Sequence, residues 1–351
     1  MTHIISRRQF LCVSAGSLAS VALGQRPAFA QGQPLRSVYP VAMPNYQVLF
    51  VAQQKGFFKD EGLDVKLTHG GSGSKTREII AAGDGDVGIG DITHPLQLVN
   101  RNRPAKILST VDTRAGGVLI VGAEQRARGA TDLGKFAAYK RPDGRKPIVG
   151  VASLGGTSHV WASYFLEQMK LDRAFTFLGI GDAASMLAAL KTKQIDCLAL
   201  STSALKEAER QGWGQLLFDQ ASPANWDKYV GGKVPVTVNF ALQSTIERDP
   251  ARIQAFINAT HRAARWIAGH SAEEIFAQIE PYISSTSKES NLAEIEAAKP
   301  LIDIDGSIDE AAFARGAKVY FREMTSIKPM PLTKVYAGEF IANANAKSAI
   351  R

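Results

Sequence analysis

Two turns rich in glycine and hydroxyl side chains could bind a small ligand through main-chain groups. They have the sequences GGSGS at residues 70–74 and GGTS at residues 155–158, and each precedes a predicted helix. Glycine lets a ligand come close to the backbone, while the start of a helix offers unpaired N–H groups and the positive end of the helix dipole. Serine and threonine can donate hydrogen bonds or cap the helix. Both turns are typical of anion-binding sites, and simple helix capping is the alternative.

Two glycine motifs resemble nucleotide-binding sequences, but each lacks a required residue. Residues 70–76 resemble the end of a phosphate-binding loop, yet Ser74 stands where that loop needs a glycine before its lysine. Residues 179–184 match a relaxed dinucleotide fingerprint, in which an acidic residue should follow the next strand. Here Asp196 precedes that strand and Ser201 ends it. The sequence therefore argues against ATP hydrolysis and against nicotinamide binding.

No combination of residues indicates catalysis, a metal or a cofactor. The six histidines include no pair with metal-ligand spacing, and the two cysteines, Cys12 and Cys197, are far apart. No serine lies in a nucleophile-elbow sequence, and no two carboxylates stand out as an acid–base pair. We therefore expect a binding protein with no catalytic residue, no metal and no cofactor.

Arg114 is a further candidate for ligand binding. It lies in a turn between two apolar runs, and its guanidinium could pair with a carboxylate or a sulfonate through two hydrogen bonds. A structural or surface role is the alternative. Tyr46 and Trp161 could line a pocket with aromatic surface, or they could belong to the core.

The elements that would position these turns alternate along the chain. Short apolar runs and helical segments follow each other after residue 31, which predicts an α/β fold. Fifteen residues separate Gly71 from Asp86, and fifteen separate Gly181 from Asp196, each pair within a strand–turn–helix–strand order. Any βαβ unit could match this loosely; taken as a repeat, the pattern predicts two related lobes. Polar turns at the strand ends of two facing sheets would form a cleft that can close on a solute.

The first thirty residues have the features of an export signal. Arg7 and Arg8 form a twin-arginine pattern, residues 10–23 form a moderately apolar run, and Ala28-Phe29-Ala30 provides small residues before a cleavage site. The run is too short and too polar for a transmembrane helix, which needs about 20 apolar residues. We predict cleavage after Ala30 and a periplasmic location. An amphipathic first helix of the mature fold is the alternative.

The charge distribution favours a small ligand over a nucleic acid. The formal net charge is +8, and it falls to +5 once the three arginines of the first thirty residues are removed. The remaining basic residues are dispersed rather than clustered with aromatic side chains, so we expect no nucleic-acid surface. A mild positive field suits an anionic ligand.

The sequence GFFKDEGLDV at residues 56–65 resembles the hallmark of a family of solute-binding proteins. These proteins serve ATP-driven importers of nitrate, sulfonates, taurine and thiamine-pyrimidine precursors. The similarity continues through residues 70–73, 83–90, 155–158 and 188–196, and it covers nearly all of the mature chain.

The resemblance implies a two-lobed periplasmic binding protein fold of type II, with two hinge strands and a ligand cleft between the lobes. Residues 34–118 and 240–351 would form lobe one, residues 119–239 would form lobe two, and the hinges would lie near Val118 and Asn239. The implied ligand is a small organic solute, an anion such as a sulfonate or a carboxylate. The implied protein partners are the permease and ATPase of an ABC importer in the inner membrane, and we expect a monomer. The resemblance implies that the ligand is bound by Asn45, Tyr46, Ser72, Gly73, Ser74, Asp91, Ile92, Thr93, Gly155, Gly156, Thr157, Ser158, Ser201 and Thr202. Asn239, near the second hinge, and Arg114 are added to this set.

Some features leave alternatives open. Residues 136–145 look like an insertion beside the short turn that is usual in the family, and they could form a surface loop. Asp91 could repel an anion, or it could bind an amine or a hydroxyl group of the ligand. The chain could serve a sensor instead of an importer. A thiamine-pyrimidine synthase is a further alternative, although the single cysteine of the mature chain does not fit its cysteine-rich segment.

Overall fold

The computed structural model describes residues 33–283, 287–323 and 327–349, and within them the chain forms two five-stranded sheets covered by helices. The predicted export signal and its cleavage site lie outside the described residues. The strands are β1 (Leu35–Tyr39), β2 (Val65–His69), β3 (Val87–Asp91), β4 (Ala105–Thr110), β5 (Val118–Gly122), β6 (Ile148–Val151), β7 (Thr176–Gly179), β8 (Cys197–Leu200), β9 (Gly214–Asp219) and β10 (Thr237–Leu242).

Helices precede, separate and follow these strands. They are α1 (Gln47–Gln54), α2 (Phe57–Asp60), α3 (Gly73–Ala82), α4 (Thr93–Asn100), α5 (Ala123–Ala127), α6 (Leu133–Ala138), α7 (Thr157–Gln168), α8 (Ala183–Lys191), α9 (Thr202–Arg210), α10 (Pro223–Tyr229), α11 (Gln243–Arg248), α12 (Pro250–Ala268), α13 (Ala272–Ile279), α14 (Lys288–Ala298), α15 (Glu310–Glu323), α16 (Leu332–Val335) and α17 (Glu339–Ala349). Short 3-10 turns cover Pro44–Tyr46, Asp172–Ala174, Glu280–Tyr282 and Lys299–Leu301.

The two sheets repeat one topology. The first sheet has the order β2-β1-β3-β10-β4 and the second has the order β7-β6-β8-β5-β9. In each sheet three parallel strands come first, and the fourth strand is antiparallel to both of its neighbours. Each sheet with its helices forms one lobe, so the predicted α/β fold with two related lobes is confirmed.

The chain crosses between the sheets twice. The first crossover, residues 111–117, joins β4 to β5, and the second, residues 220–236, joins β9 to β10. The sequence places the crossovers near Val118 and Asn239. The first is close, because Val118 begins β5, but Asn239 lies inside β10 and pairs with both neighbouring strands. Paired residues of a central strand cannot bend freely, so the second crossover lies before β10.

Two aspartates explain the repeated fifteen-residue spacing. Asp86 accepts hydrogen bonds from the backbone N–H and the guanidinium of Arg36, which lies in β1. Asp196 accepts one from the backbone N–H of Ile148 at 2.8 Å, at the start of β6. Each carboxylate therefore links the turn between a helix and the next strand to the middle one of the three parallel strands in its sheet.

The segment 136–145 contributes to lobe two instead of forming only a surface loop. Phe136, in α6, is buried and stacks on Phe175 with ring centroids 5.2 Å apart. Arg141 follows α6 and donates to Asp196 from Nη1 at 2.6 Å, so the segment places a cation beside a buried carboxylate.

Apolar side chains cover both faces of the sheets, as parallel and mixed sheets between helices require. Every residue of β5, with sequence VLIVG, is buried. On one face of the first sheet, Phe58 of α2 stacks on Phe256 of α12 with centroids 5.2 Å apart. Helix α12 begins after Asp249, whose carboxylate accepts the N–H of Arg252, and Pro250 occupies its first position. Burying each such aromatic ring contributes about 1.5–3 kcal/mol.

Helices from the C-terminal part of the chain contact lobe two as well as lobe one. Tyr320 of α15 packs against Trp161 of α7 with centroids 5.9 Å apart, and Trp226 lies 5.0 Å from the same ring. Helix α14 packs against α9 of lobe two. The C-terminal helices therefore hold the two lobes together in addition to the crossovers. Among the described helices, none combines the length and the apolar character that a membrane crossing requires.

Candidate functional site

A cavity of about 260 Å³ lies where the two lobes and the two crossovers meet. Its wall includes residues from the start of α1, both crossovers, the start of α9, and α14 with the turn that follows it. The polar and charged residues among them are Asn45, Gln47, Asp112, Arg114, Thr202, Asp219, Ser222, Thr237 and Glu294. The apolar part of the wall includes Val48, Val111, Pro300, Leu301 and Ile302. The volume is close to the small end of known ligand pockets.

Asp112 joins the two crossovers at the cavity. Its Oδ1 accepts the backbone N–H groups of Val236 and Thr237, both at 2.9 Å. Burial raises the pKa of Asp112 to about 7, and the nearby charge of Asp91 adds to this, while the hydrogen bonds act in the opposite direction. The carboxylate therefore fixes the geometry of both crossovers while facing the cavity.

Arg114 lies in the first crossover and reaches the second. Its Nη1 donates to the carbonyl oxygen of Ala221 at 3.2 Å, and the side chain is partly buried. Asp219 accepts the backbone N–H groups of Ala221 and Ser222 at 2.9 and 3.1 Å, which fixes the turn that Arg114 contacts. The arginine predicted as a ligand residue thus lines the cavity.

Glu294 brings a buried carboxylate to the same cavity from α14. It is only 6% exposed, and its Oε2 accepts the backbone N–H of Ser203 in the first turn of α9 at 2.7 Å. Burial raises the pKa of Glu294, and the hydrogen bonds from the start of α9 counteract part of that shift. This contact links the C-terminal helices to lobe two.

A second set of predicted residues meets across the lobes. Asp91, at the end of β3, accepts the N–H and the hydroxyl of Thr93 on Oδ1 at 2.9 and 2.6 Å. Its Oδ2 accepts the hydroxyl of Thr157, at the start of α7 in lobe two, at 2.7 Å. The acid that could have contacted a ligand therefore binds the opposite lobe here.

Tyr46 lies close to these acids. Burial raises the pKa of its phenol, and the charges of Asp91 and Asp112 add to the shift.

The glycine and serine turns serve mainly as helix caps. Ser72 accepts the N–H of Lys75 at 3.2 Å and lies 3.1 Å from the Ser74 hydroxyl. Ser201 accepts the N–H of Ala204 at 3.4 Å and caps α9. Gly73 packs beside the ring of His94, where a Cβ would lie 2.7 Å from Nε2.

The turn at residues 155–158 shares this local role. The N–H of Gly155 donates to Nδ1 of His159 at 3.1 Å, and Gly156 is the N-cap of α7. Of this turn, the structure brings only Thr157 into a bond with the other lobe; Ser158 is partly buried in the first turn of α7.

Two of the predicted ligand residues are buried, and ligand contact at these positions stays a prediction. Ile92 is fully buried, and Asn239 is 2% exposed and donates to the Ser109 hydroxyl at 2.9 Å within the first sheet. Trp161 is also buried, in an aromatic cluster with Trp226 and Tyr320. Of the sixteen residues, Asn45, Arg114 and Thr202 line the cavity, and Asp91, Thr93 and Thr157 form the contact between the lobes.

Sequence reasoning missed several cavity residues. Asp112 and Asp219 end or follow strands, so the rule that ligands bind at strand ends could have found them. Glu294 and Gln47 lie on helices with no motif around them, and no sequence signal identifies them. Among the described residues, no group of three His, Cys, Asp or Glu side chains could hold a metal ion. Cys197 is buried, which raises the pKa of its thiol.

Comparison with known sequences places this site in context. The family model described as the NMT1-like family matches residues 40–280. YtlA of Bacillus subtilis (strain 168), named as a candidate binding protein, is 23% identical over 240 residues, which cover 66% of this chain and 65% of that protein. The chain thus spans just under two thirds of the length of this curated relative. The 4-amino-5-hydroxymethyl-2-methylpyrimidine phosphate synthase of Aspergillus parasiticus is 39% identical over 79 residues, only 22% of this chain and 23% of that enzyme.

Solved structures share the whole architecture. A protein from Bordetella bronchiseptica RB50 is 24% identical, with a TM-score of 0.72 and coverage of 91% of this chain and 98% of that one. The periplasmic aliphatic sulphonate-binding protein SsuA of Escherichia coli is 14% identical, with a TM-score of 0.67 and coverage of 87% and 98%. At these identities the likeness shows the periplasmic binding protein fold.

Proposed function

Because the chain belongs to the NMT1-like family, we propose that it is the substrate-binding protein of an ABC-type importer. One observation carries this proposal: a small cavity has walls from both lobes and both crossovers, and hydrogen bonds join the lobes beside it. A solute captured there would be enclosed when the lobes close, and the closed surface would be presented to a permease and its ATPase. The protein is proposed to act as a monomer.

From the two crossovers, the lobes are proposed to be residues 34–110 with 237–349, and residues 118–219, so the expected boundaries after residues 118 and 239 both move. The crossovers at 111–117 and 220–236 would be the hinges between them. Opening would separate Thr157 from Asp91 and Ser203 from Glu294, since each of these pairs joins opposite lobes.

The solute is proposed to be a small organic molecule with an acidic group, such as a carboxylate or a sulfonate. Arg114 lines the cavity, and its only hydrogen bond within the described residues goes to a backbone carbonyl. The first turn of α1 adds the positive end of a helix dipole, whereas the first turn of α9 is already bonded to Glu294. A bidentate contact with Arg114, supported by the start of α1, would hold one acidic group.

Export through a twin-arginine signal, cleavage after Ala30 and a periplasmic location complete the proposal. The importer role requires this location, because the binding protein must meet both the solute and the permease outside the inner membrane. We propose no enzymatic role: the cavity residues include carboxylates and an arginine but no nucleophile paired with a base.

A thermal-shift screen of the mature chain, residues 31–351, tests the proposal with carboxylates, sulfonates, nitrate and heterocycles. A solute that binds only the folded state stabilises it and so raises the melting temperature. At a solute concentration one hundred times Kd, the free energy of unfolding rises by about 2.7 kcal/mol. The variant Arg114→Met should lose the response to acidic hits, and Arg173→Met, at an exposed position, should keep it. Each hit should be recovered unchanged after incubation. Turnover of a hit at a catalytic rate would contradict the binding role.

A further inference from the structure

The cavity holds charges of both signs that do not pair with one another. Arg114 and the carboxylates of Asp112, Asp219 and Glu294 all line it. Within the described part of the chain, these three carboxylates accept hydrogen bonds from backbone N–H groups, to which the side chains of Thr237 and Ser203 add at Asp112 and Glu294, while Arg114 donates only to a carbonyl. The positive and negative groups are therefore left available for a molecule placed between them.

Glu294 is the most demanding of these groups. At 6% exposure it is removed from bulk water, and within the described residues its hydrogen bonds come only from the start of α9. A buried carboxylate that has no cationic partner in this part of the chain is costly, and burial raises its pKa. A ligand cation beside it would supply the missing charge.

The side chain of Gln47 is a second group in the cavity that lacks a partner within the described residues, here a hydrogen-bond donor. It lines the cavity and is 2% exposed, and its Oε1 has no hydrogen-bond partner among the described residues. Buried amide oxygens are nearly always hydrogen-bonded, and leaving one unpaired destabilises the protein. An N–H group of a ligand would satisfy this acceptor.

We infer that the solute is a zwitterion, whose acidic group binds Arg114 and whose protonated amino group binds Glu294. This inference rests on the proposed binding function and specifies the class of its solute. A simple anion would leave Glu294 without a cation and the Oε1 of Gln47 without a donor, and a simple cation would leave Arg114 without a partner. A molecule with both groups pairs both sets of charges at once, within about 260 Å³.

Matched pairs of solutes test the amino group, by isothermal titration calorimetry on residues 31–351. The pairs are β-alanine with propionate, taurine with ethanesulfonate, 4-aminobutyrate with butyrate, and phenylalanine with 3-phenylpropionate. We expect at least one amine-bearing solute to bind about tenfold or more tightly than its partner, because a hydrogen bond to a charged group is lost without the amine. Equal or tighter binding by the acids that lack an amine would overturn the zwitterion and leave the import role standing. No binding by either series up to about 10 mM would overturn the zwitterion together with the acidic solute proposed above.

A pair of variants on one helix separates ligand recognition from structure. Glu294→Gln should weaken binding of the zwitterion about 10-fold to 100-fold and leave its amine-free partner nearly unchanged. Glu296→Gln, at an exposed position of the same helix, should change neither affinity. If Glu294→Gln weakens both members of a pair equally, Glu294 only holds the lobes together and the inference is wrong.

Discussion

Removing the cation beside Asp196 should destabilise lobe two strongly. Asp196 is 2% exposed and accepts three bonds, from Arg141 at 2.6 Å, Gln125 at 2.8 Å and the N–H of Ile148 at 2.8 Å. The variant Arg141→Ala leaves the two neutral donors but no cation hydrogen-bonded to Asp196. Removing one partner of a buried ion pair costs about 3–5 kcal/mol, and the two remaining donors favour the lower end, about 3 kcal/mol.

Urea unfolding followed by circular dichroism measures this loss. For a slope of about 2 kcal/mol per molar, the midpoint should fall by about 1.5 M. Arg145→Ala is the control, because Arg145 pairs with Asp143 at an exposed position where ion pairs contribute about 0–1 kcal/mol.

A double variant isolates the charge. Arg141→Ala with Asp196→Asn should be more stable than Arg141→Ala alone, since the unpaired buried charge is removed. A midpoint for Arg141→Ala within about 0.3 M of the wild type would show that Arg141 does not support lobe two, and it would refute this reasoning.

Three further changes probe the cavity, the contact between the lobes, and the first sheet. Burial raises the pKa of Asp112 to about 7, above its unfolded value of 3.8. Its protonated form therefore stabilises the fold, and this contribution to the free energy of unfolding is lost as the pH rises through about 7. Asp112→Asn should therefore reduce the fall in urea midpoint between about pH 5.5 and about pH 8.5, and an unchanged fall would count against this assignment. Thr157→Val removes the hydroxyl bonded to Asp91 and should weaken solute binding about fivefold in calorimetry, whereas Thr176→Val, at an exposed position of β7, should leave affinity nearly unchanged. Gly88→Ala should lower stability in the same urea assay by about 1–3 kcal/mol, because its Cβ would lie 2.5 Å from the buried ring of Phe240, and a neutral result would mean that the ring moves freely.

Much of the fold is predictable from the sequence because local signals agree with it. The apolar run at residues 87–90 becomes β3, and the equal spacing from Gly71 to Asp86 and from Gly181 to Asp196 reflects two sheets of the same topology. The helical region after Pro250 is also present, but it is divided near Gly269, where Ser271 starts α13 with a capping box. That boundary was visible in the sequence as a glycine followed by a serine and, three residues later, a glutamate.

The site is less predictable because it depends on contacts between distant parts of the chain. The strand-end turns were identified, yet several of their hydroxyl groups cap their own helices. Asn239 was expected at the cleft, but a position inside a paired strand buries it. Glu294 reaches the cavity only because α14 packs across onto α9, and no local pattern reports a packing contact between residues so far apart.

The bonds from Asp112 to Val236 and Thr237 have a consequence for motion. With both connections tied at one carboxylate, they cannot slide past each other, so bending must occur beyond the tie. Glycines lie there in both connections, at Gly116 and Gly117 in one and at Gly231 and Gly232 in the other, the latter two with φ of 77° and 109°. We therefore expect the bending that separates the two halves to be concentrated at these glycines, while the tie at Asp112 keeps the two connections in register.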